Sequence, residues 1–160
     1  MPKPNALVKI SGDLLQNKKV INWLRVVSKK YSVVVLVGGG TQINNEFAKH
    51  GWPIEFGPLG RITKTLEKKL VASNILERNQ AIVQDLFDSK KISVRVAVPI
   101  VRIADVHCQV NGDVMVLAGY NGFDRIFILT TKERSKKKGE KFFKLDTVFG
   151  NLEKIEIVSF

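Results

Sequence analysis

Val33-Val34-Val35-Leu36-Val37 is an unbroken apolar run that ends at Gly38-Gly39-Gly40. Such a run suits a strand buried on both faces of a parallel sheet. Ala6–Ile10 and Arg125–Leu129 carry runs of the same kind, Ile92–Val98 alternates up to Pro99, and Lys154–Phe160 closes the chain as a strand. Between these segments the apolar spacing becomes helical. Val20, Trp23, Leu24 and Val27 fall on one stripe of a helix over 18–30. A second helix runs from about Gln42 to His50, with Gly51 at C′ and Pro53 just beyond. A long helix covers about Thr63 to Phe87, with Val71, Ile75, Ile82 and Leu86 on one face and Leu76, Val83 and Phe87 widening it. Asn111-Gly112-Asp113 caps a short helix lined by Val114, Leu117 and Ala118. Residues 54–60 read as a link, 100–110 as irregular or a short strand, and Lys132–Lys141 as a solvated basic loop.

Strands alternate with helices, which predicts an α/β fold with a mostly parallel sheet and helices on both faces. Ligands on such sheets bind beyond the carboxyl ends of the strands. The turns Ser11-Gly12, Gly38–Gly40 and Thr130-Thr131 all follow strands and fall on that edge, and Asn111–Asp113 can join them.

Size and charge narrow the classes. The 160 residues suit one domain, 1–160. No apolar run approaches the ~18 residues needed to span a bilayer, no signal peptide is read at Met1–Asn5, and the single Cys108 forbids an internal disulfide. The cytoplasm is the expected compartment and no membrane partner is expected. Lys and Arg number 26 against 15 acidic residues, a formal charge of +11. That surplus attracts phosphates in nucleotides, metabolites or nucleic acids alike. With no RNP-like aromatic strand, zinc finger or recognition helix, nucleic acid is not the expected partner.

The glycine turn before a helix start is an anion site in form, although Gly38, Gly39 and Gly40 match neither GxGxxG nor GxxxxGK[ST]. Lys9, two residues before the Ser11-Gly12 turn, can hold a phosphate as a point charge or simply face solvent. Asp113 can be a structural cap, orient a lysine, or orient a hydrated Mg²⁺. Arg61 can grip a carboxylate or phosphate bidentately or be a surface charge. His107-Cys108 offers neither a zinc site nor a nucleophile pair, because adjacent strand residues point to opposite faces and only His50 remains as a further histidine. No metal-ligand set is expected.

In order, these segments resemble the amino-acid kinase superfamily, in its N-acetylglutamate kinase and uridylate kinase-like branches. Leu7-Val8-Lys9-Ile10-Ser11-Gly12 is similar to V-K-[IL]-[GS]-G, and Val35-Leu36-Val37-Gly38-Gly39-Gly40-Thr41-Gln42-Ile43-Asn44 to VVHGGGPQIN. Gly60-Arg61-Ile62-Thr63, with Thr65-Leu66-Glu67, resembles G-[LF]-R-V-T-D-x-x-T-L-E, with Lys64 in place of the Asp. Gln109-Val110-Asn111-Gly112-Asp113 resembles N-V-N-A-D, and Gly122–Thr130 resembles G-A-[DE]-x-[LI]-I-[LF]-L-T. The resemblance implies a three-layer αβα sandwich and a phosphotransferase moving a phosphoryl group from ATP, with Mg²⁺ held through its phosphates, to a small carboxylate- or phosphate-bearing metabolite. It implies Lys9 and Asp113 as catalytic residues. Gly12, Gly38, Gly39, Gly40, Thr130, Thr131 and Lys132 would bind nucleotide, and Arg61 and Asn111 the acceptor. The chain departs from the family after Thr131. The D-V-D-G-V-Y segment and the later segment with a second lysine are missing, so the nucleotide lobe is reduced from about residue 131, with Lys132, Arg134 or Lys136 expected to supply the charge. The alternative is a non-catalytic nucleotide- or metabolite-binding module. A homodimer through a helix pair is permitted by the apolar stripes.

Overall fold

The computed structural model describes residues 1–150 and 152–160, without the side chains of 147–149. The central apolar run forms β2 (Ser32–Val37), which lies inside the sheet beside β1 (Asn5–Ile10). β5 (Val94–Ala97) pairs on the other side of β2, and β8 (Arg125–Thr130) and β9 (Ile155–Ser159) extend the sheet beyond β1. The order is β5-β2-β1-β8-β9 and each pairing is parallel.

The connecting helices are α1 (Lys18–Lys30), α2 (Gly40–Lys49), α3 (Leu66–Ser89), α4 (Gly112–Ala118) and α5 (Lys132–Phe149). Side chains alternate across a strand, so each strand feeds two cores. Ala6, Val8 and Ile10 of β1 meet Val33, Val35 and Val37 of β2 under α1, α2 and α3. Leu7 and Leu36, with Ile126 and Ile128, pack against Val116 of α4 and Phe142 of α5. The architecture is therefore an α/β three-layer arrangement. Lys9, in step with Leu7, faces the α4–α5 layer.

Local signals account for several boundaries. α2 ends as the sequence expects: Gly51 has φ +65° and the N–H groups of Gly51 and Trp52 donate to Ala48 and Phe47. This pattern satisfies the last carbonyls of the helix, and the Trp52 ring seats edge-on against Phe47 at 5.3 Å. Trp23 packs edge-on against Phe127 at 5.1 Å.

Five expectations require correction. Residues 132–141 are not a loop but the start of α5: Phe142 is buried and Leu145 packs beside it, so an apolar stripe anchors the basic run. On α3 the buried line is Ala72, Leu76, Val83 and Phe87, while Ile82 is 58 % exposed. Spacing alone could not choose between these adjacent stripes. On α4 the buried apolar residue is Val116, not the stripe of Val114, Leu117 and Ala118. The link after α2 contains a small hairpin, β3 (Phe56–Gly57) and β4 (Gly60–Arg61), and the irregular stretch is the hairpin β6 (Ile100–Ile103) with β7 (Val106–Gln109).

The exposed edge of β5 is covered by side chains. Gln84 of α3 accepts from Val96 N–H at 2.8 Å and donates to the Val94 carbonyl at 3.0 Å, while Gln80 donates to the Val96 carbonyl at 2.8 Å. Two glutamines thus stand in for a further strand. Among the described residues, no helix is long and apolar enough to cross a membrane.

Candidate functional site

Lys9, near the end of β1, extends toward α4 because of the strand's alternation. There its ammonium donates to Asp113 Oδ1. Asp113 stands in the first turn of α4, whose N-cap Asn111 accepts from the Asp113 N–H at 2.8 Å. The other carboxylate oxygen receives Lys138 Nζ at 2.8 Å and Lys141 Nζ at 2.5 Å, both from α5. One carboxylate that is only 2 % exposed therefore carries three ammonium groups.

The charge states follow from this packing. Burial lowers the Lys9 pKa to about 8; Asp113 opposes that change and nearby Lys138 adds to it. Burial alone would raise the Asp113 carboxyl, but Lys9 and the hydrogen bonds from Lys138, Lys141 and Lys9 outweigh it and hold the group well below its ordinary range. At neutral pH the cluster is one anion and three cations. Two positive charges are left over.

A cavity of about 160 Å³ lies beside the cluster, lined by Gly38–Gly40, Arg61, Asn111 and Gly112. Gly112 links the two, since a Cβ there would lie 2.8 Å from Lys9 Cε. The β3–β4 hairpin is docked by its backbone: Asn111 N–H donates to the Leu59 carbonyl at 2.7 Å. Gly60 has φ +126°, and a Cβ on it would stand 2.7 Å from Asn111 N, so glycine alone fits there. That docking brings Arg61 over the glycine turn. Its Nη2 donates to the Gly40 carbonyl at 3.2 Å, and its guanidinium lies 4.8 Å from the Phe56 ring centre. Its Nη1 is buried with no partner among the described residues, and burial lowers its pKa. A guanidinium edge left unsatisfied beside a cavity suits an incoming oxygen anion.

Gly39 lies close under α3: a Cβ there would stand 2.9 Å from Asn79 Nδ2, so a side chain would displace Asn79, which donates to the Gly38 carbonyl at 3.3 Å. Gly12 is exposed and lines a groove that also reaches Gly38. Thr130 is fully buried and Thr131 is the N-cap of α5, and neither hydroxyl has a partner among the described residues. Lys132 is exposed and makes no ion pair among the described residues. The structure thus brings Lys9, Asp113, Gly38–Gly40, Arg61 and Asn111 to one edge and leaves Lys132 outside it.

The extra charge does not come from the expected positions. Arg134 pairs with Asp13 at 3.4 Å, and Lys136 is exposed. Lys138 and Lys141 enter the site instead, because α5 turns that face toward the sheet. The signal was present: Lys138, Lys141, Phe142 and Leu145 recur at helical spacing within the basic run. His107 lies away from the site, 3.8 Å from Glu77 of α3.

No family model and no curated protein matches the chain. Solved structures do. The crystal structure of smu.665 from Streptococcus mutans UA159 superposes with a TM-score of 0.57 at 11 % identity, covering 96 % of this chain and 94 % of that one. N-acetylglutamate synthase from Neisseria gonorrhoeae, complexed with coenzyme A and N-acetyl-glutamate, superposes with a TM-score of 0.51 at 13 % identity. That match covers 82 % of this chain and 42 % of the synthase. Identities this low show a shared fold.

These findings correct the resemblance to the amino-acid kinase superfamily and its uridylate kinase-like branch. No family model supports it, and neither neighbour is described as a kinase. The expectation of ATP with Mg²⁺ is corrected as well. The ligands of the synthase are coenzyme A and N-acetyl-glutamate. Within this site both Asp113 oxygens are already taken by lysines, and no group of three or more His, Cys, Asp or Glu among the described residues could hold a metal ion. A kinase activity therefore has no support here.

Proposed function

We propose that this chain is a binding module for a small anionic metabolite, held at the carboxyl edge of the sheet. The observation that carries this reading is the surplus of two positive charges where Lys9, Lys138 and Lys141 converge on the single carboxylate of Asp113. Confined like charges repel, and a bound anion beside them relieves that repulsion. The cavity next to the cluster supplies the rest of the recognition. The free edge of the Arg61 guanidinium meets one oxygen pair of a carboxylate or phosphate, and Asn111 offers a side-chain amide beside it. The bared backbone at Gly12 and Gly38–Gly40 admits a close approach by the ligand, for which α2 provides a helix start. The two ligands of the N-acetylglutamate synthase complex are both acidic molecules, one a phosphoester and one a dicarboxylate, which agrees with this ligand class.

Calorimetric titration tests the reading. The protein is titrated with inorganic phosphate, N-acetylglutamate and coenzyme A, beside Lys138→Ala and Lys9→Met. The expected result is a saturating isotherm with at least one of the three, weakened tenfold or more in both variants. Flat isotherms with all three from a folded protein would contradict the reading, as would binding indifferent to both substitutions.

A further inference from the structure

We infer that the ligand is a molecule with two anionic ends joined by an apolar body, and that its second end is held between Arg78 and Arg134. This rests on the anion-binding reading above and extends it. A groove of about 890 Å³ opens from Gly38, the residue that also lines the smaller cavity beside the lysine cluster. The two spaces thus share Gly38 as a wall at the glycine turn. The groove differs in character from the cavity. Leu15, Ile82 and Leu86 line it, and Ile82 is 58 % exposed although it belongs to the long helix α3. Two arginines line the same groove, Arg78 from α3 and Arg134 from the first turn of α5. Arg78 makes no ion pair among the described residues. Arg134 pairs with Asp13 at 3.4 Å, and both side chains of that pair are well exposed. An exposed pair of this kind contributes little to stability and exchanges readily for a better anion.

The chemistry recognised is consequently bipartite. The lysine cluster and Arg61 take one anionic group. The apolar lining covers a hydrocarbon or planar body, and the arginines take the second anionic group with their forked donors. Two anchors on one ligand act together, so affinity depends on whether the body spans the distance between them.

The test uses α,ω-alkane bisphosphates of two to eight carbons, compared with the matching monoalkyl phosphates and with inorganic phosphate, by calorimetry on the full chain. The expected result is an optimum body length at which the bisphosphate binds at least tenfold tighter than its monophosphate. Arg78→Ala combined with Arg134→Ala removes that advantage and leaves the affinity for inorganic phosphate as in the parent. Both arginines are surface residues, and an unchanged melting temperature checks that the fold is intact; Arg78→Glu alone provides a second variant with the same expected loss. Bisphosphates that bind no tighter than monophosphates at any length overturn the inference, as does an advantage that survives the substitutions. In either case binding of inorganic phosphate leaves the lysine cluster in place as an anion site. Failure of inorganic phosphate and of every alkyl phosphate to bind the parent protein overturns the inference, and flat isotherms with N-acetylglutamate and coenzyme A as well overturn both.

Discussion

At the scale of single residues, Asp113 is the point on which the site turns. Among the described residues its carboxylate is the one acidic group paired with Lys9, Lys138 and Lys141, and it holds all three at once. Replacing it with Asn keeps the shape and removes the charge, leaving three ammonium groups facing one another. Breaking a fully buried ion pair costs about 3–5 kcal/mol, and the partial exposure of the lysines brings the expected loss for Asp113→Asn to about 2 kcal/mol. Urea unfolding at low ionic strength measures it. Millimolar phosphate is expected to recover part of the loss, because an anion that binds only the folded state stabilises it. Unchanged stability in the variant would show that the cluster is not held as described. Acid acts on the same group. The folded-state pKa of Asp113 lies below its unfolded value of 3.8, so its stabilisation is present above that pH and is lost as the pH falls through and below it.

Secondary elements show why part of the molecule was legible from sequence and part was not. β2, α1 and the end of α2 follow directly from local chemistry: a continuous apolar run, one clear stripe, and a Gly51–Trp52 stop whose hydrogen bonds are local. Gly38–Gly40, Asn111 and Asp113 could be singled out as candidates because each sits at a turn or cap, whereas Lys9 and Arg61 lie in strands and read equally well as solvent-facing charges. α5 was hidden by its charge. Seven basic and three acidic residues in 132–149 mask a stripe of only a few apolar positions, and the stripe acquires meaning only when the sheet face above β8 is known to need cover. Lys138 and Lys141 were missed with it. The Gln84 edge cover was equally invisible, since a glutamine has no periodic signal. That device is testable. Gln84→Ala strands the Val96 N–H and the Val94 carbonyl, and a lost buried hydrogen-bond partner costs about 1–3 kcal/mol. The variant is also expected to self-associate at concentrations where the parent does not, measured by light scattering, because an unpaired strand edge is a template for another chain. Equal stability and equal scattering would contradict the assignment.

Across the whole molecule, the formal charge of +11 has a structural focus. The carboxyl edge of the parallel sheet gathers Lys9 from β1, Arg61 from a hairpin, Arg78 from α3 and Arg134, Lys138 and Lys141 from α5. Elements far apart in sequence therefore build one basic rim, and the fold places it where open parallel sheets receive ligands. The pKa of Lys9 ties this rim to pH. Lys9 faces Asp113 from α4 and Lys138 and Lys141 from α5, and its pKa of about 8 stands against the ordinary 10.5. A lysine whose folded-state pKa is lowered penalises folding below about pH 8, and the penalty is lifted as the pH rises from there to 10.5. Anion affinity runs the other way, falling as Lys9 loses its proton.

Nitrogen-detected NMR of ¹⁵N-lysine-labelled protein, titrated with pH in the absence and presence of saturating inorganic phosphate, reads this coupling at the atom concerned. The account predicts that Lys9 Nζ titrates near pH 8 without phosphate and at a distinctly higher pH with it, since a bound anion favours the protonated ammonium. A Lys9 signal whose titration is the same with and without phosphate would contradict the claim that this cluster is an anion-binding site.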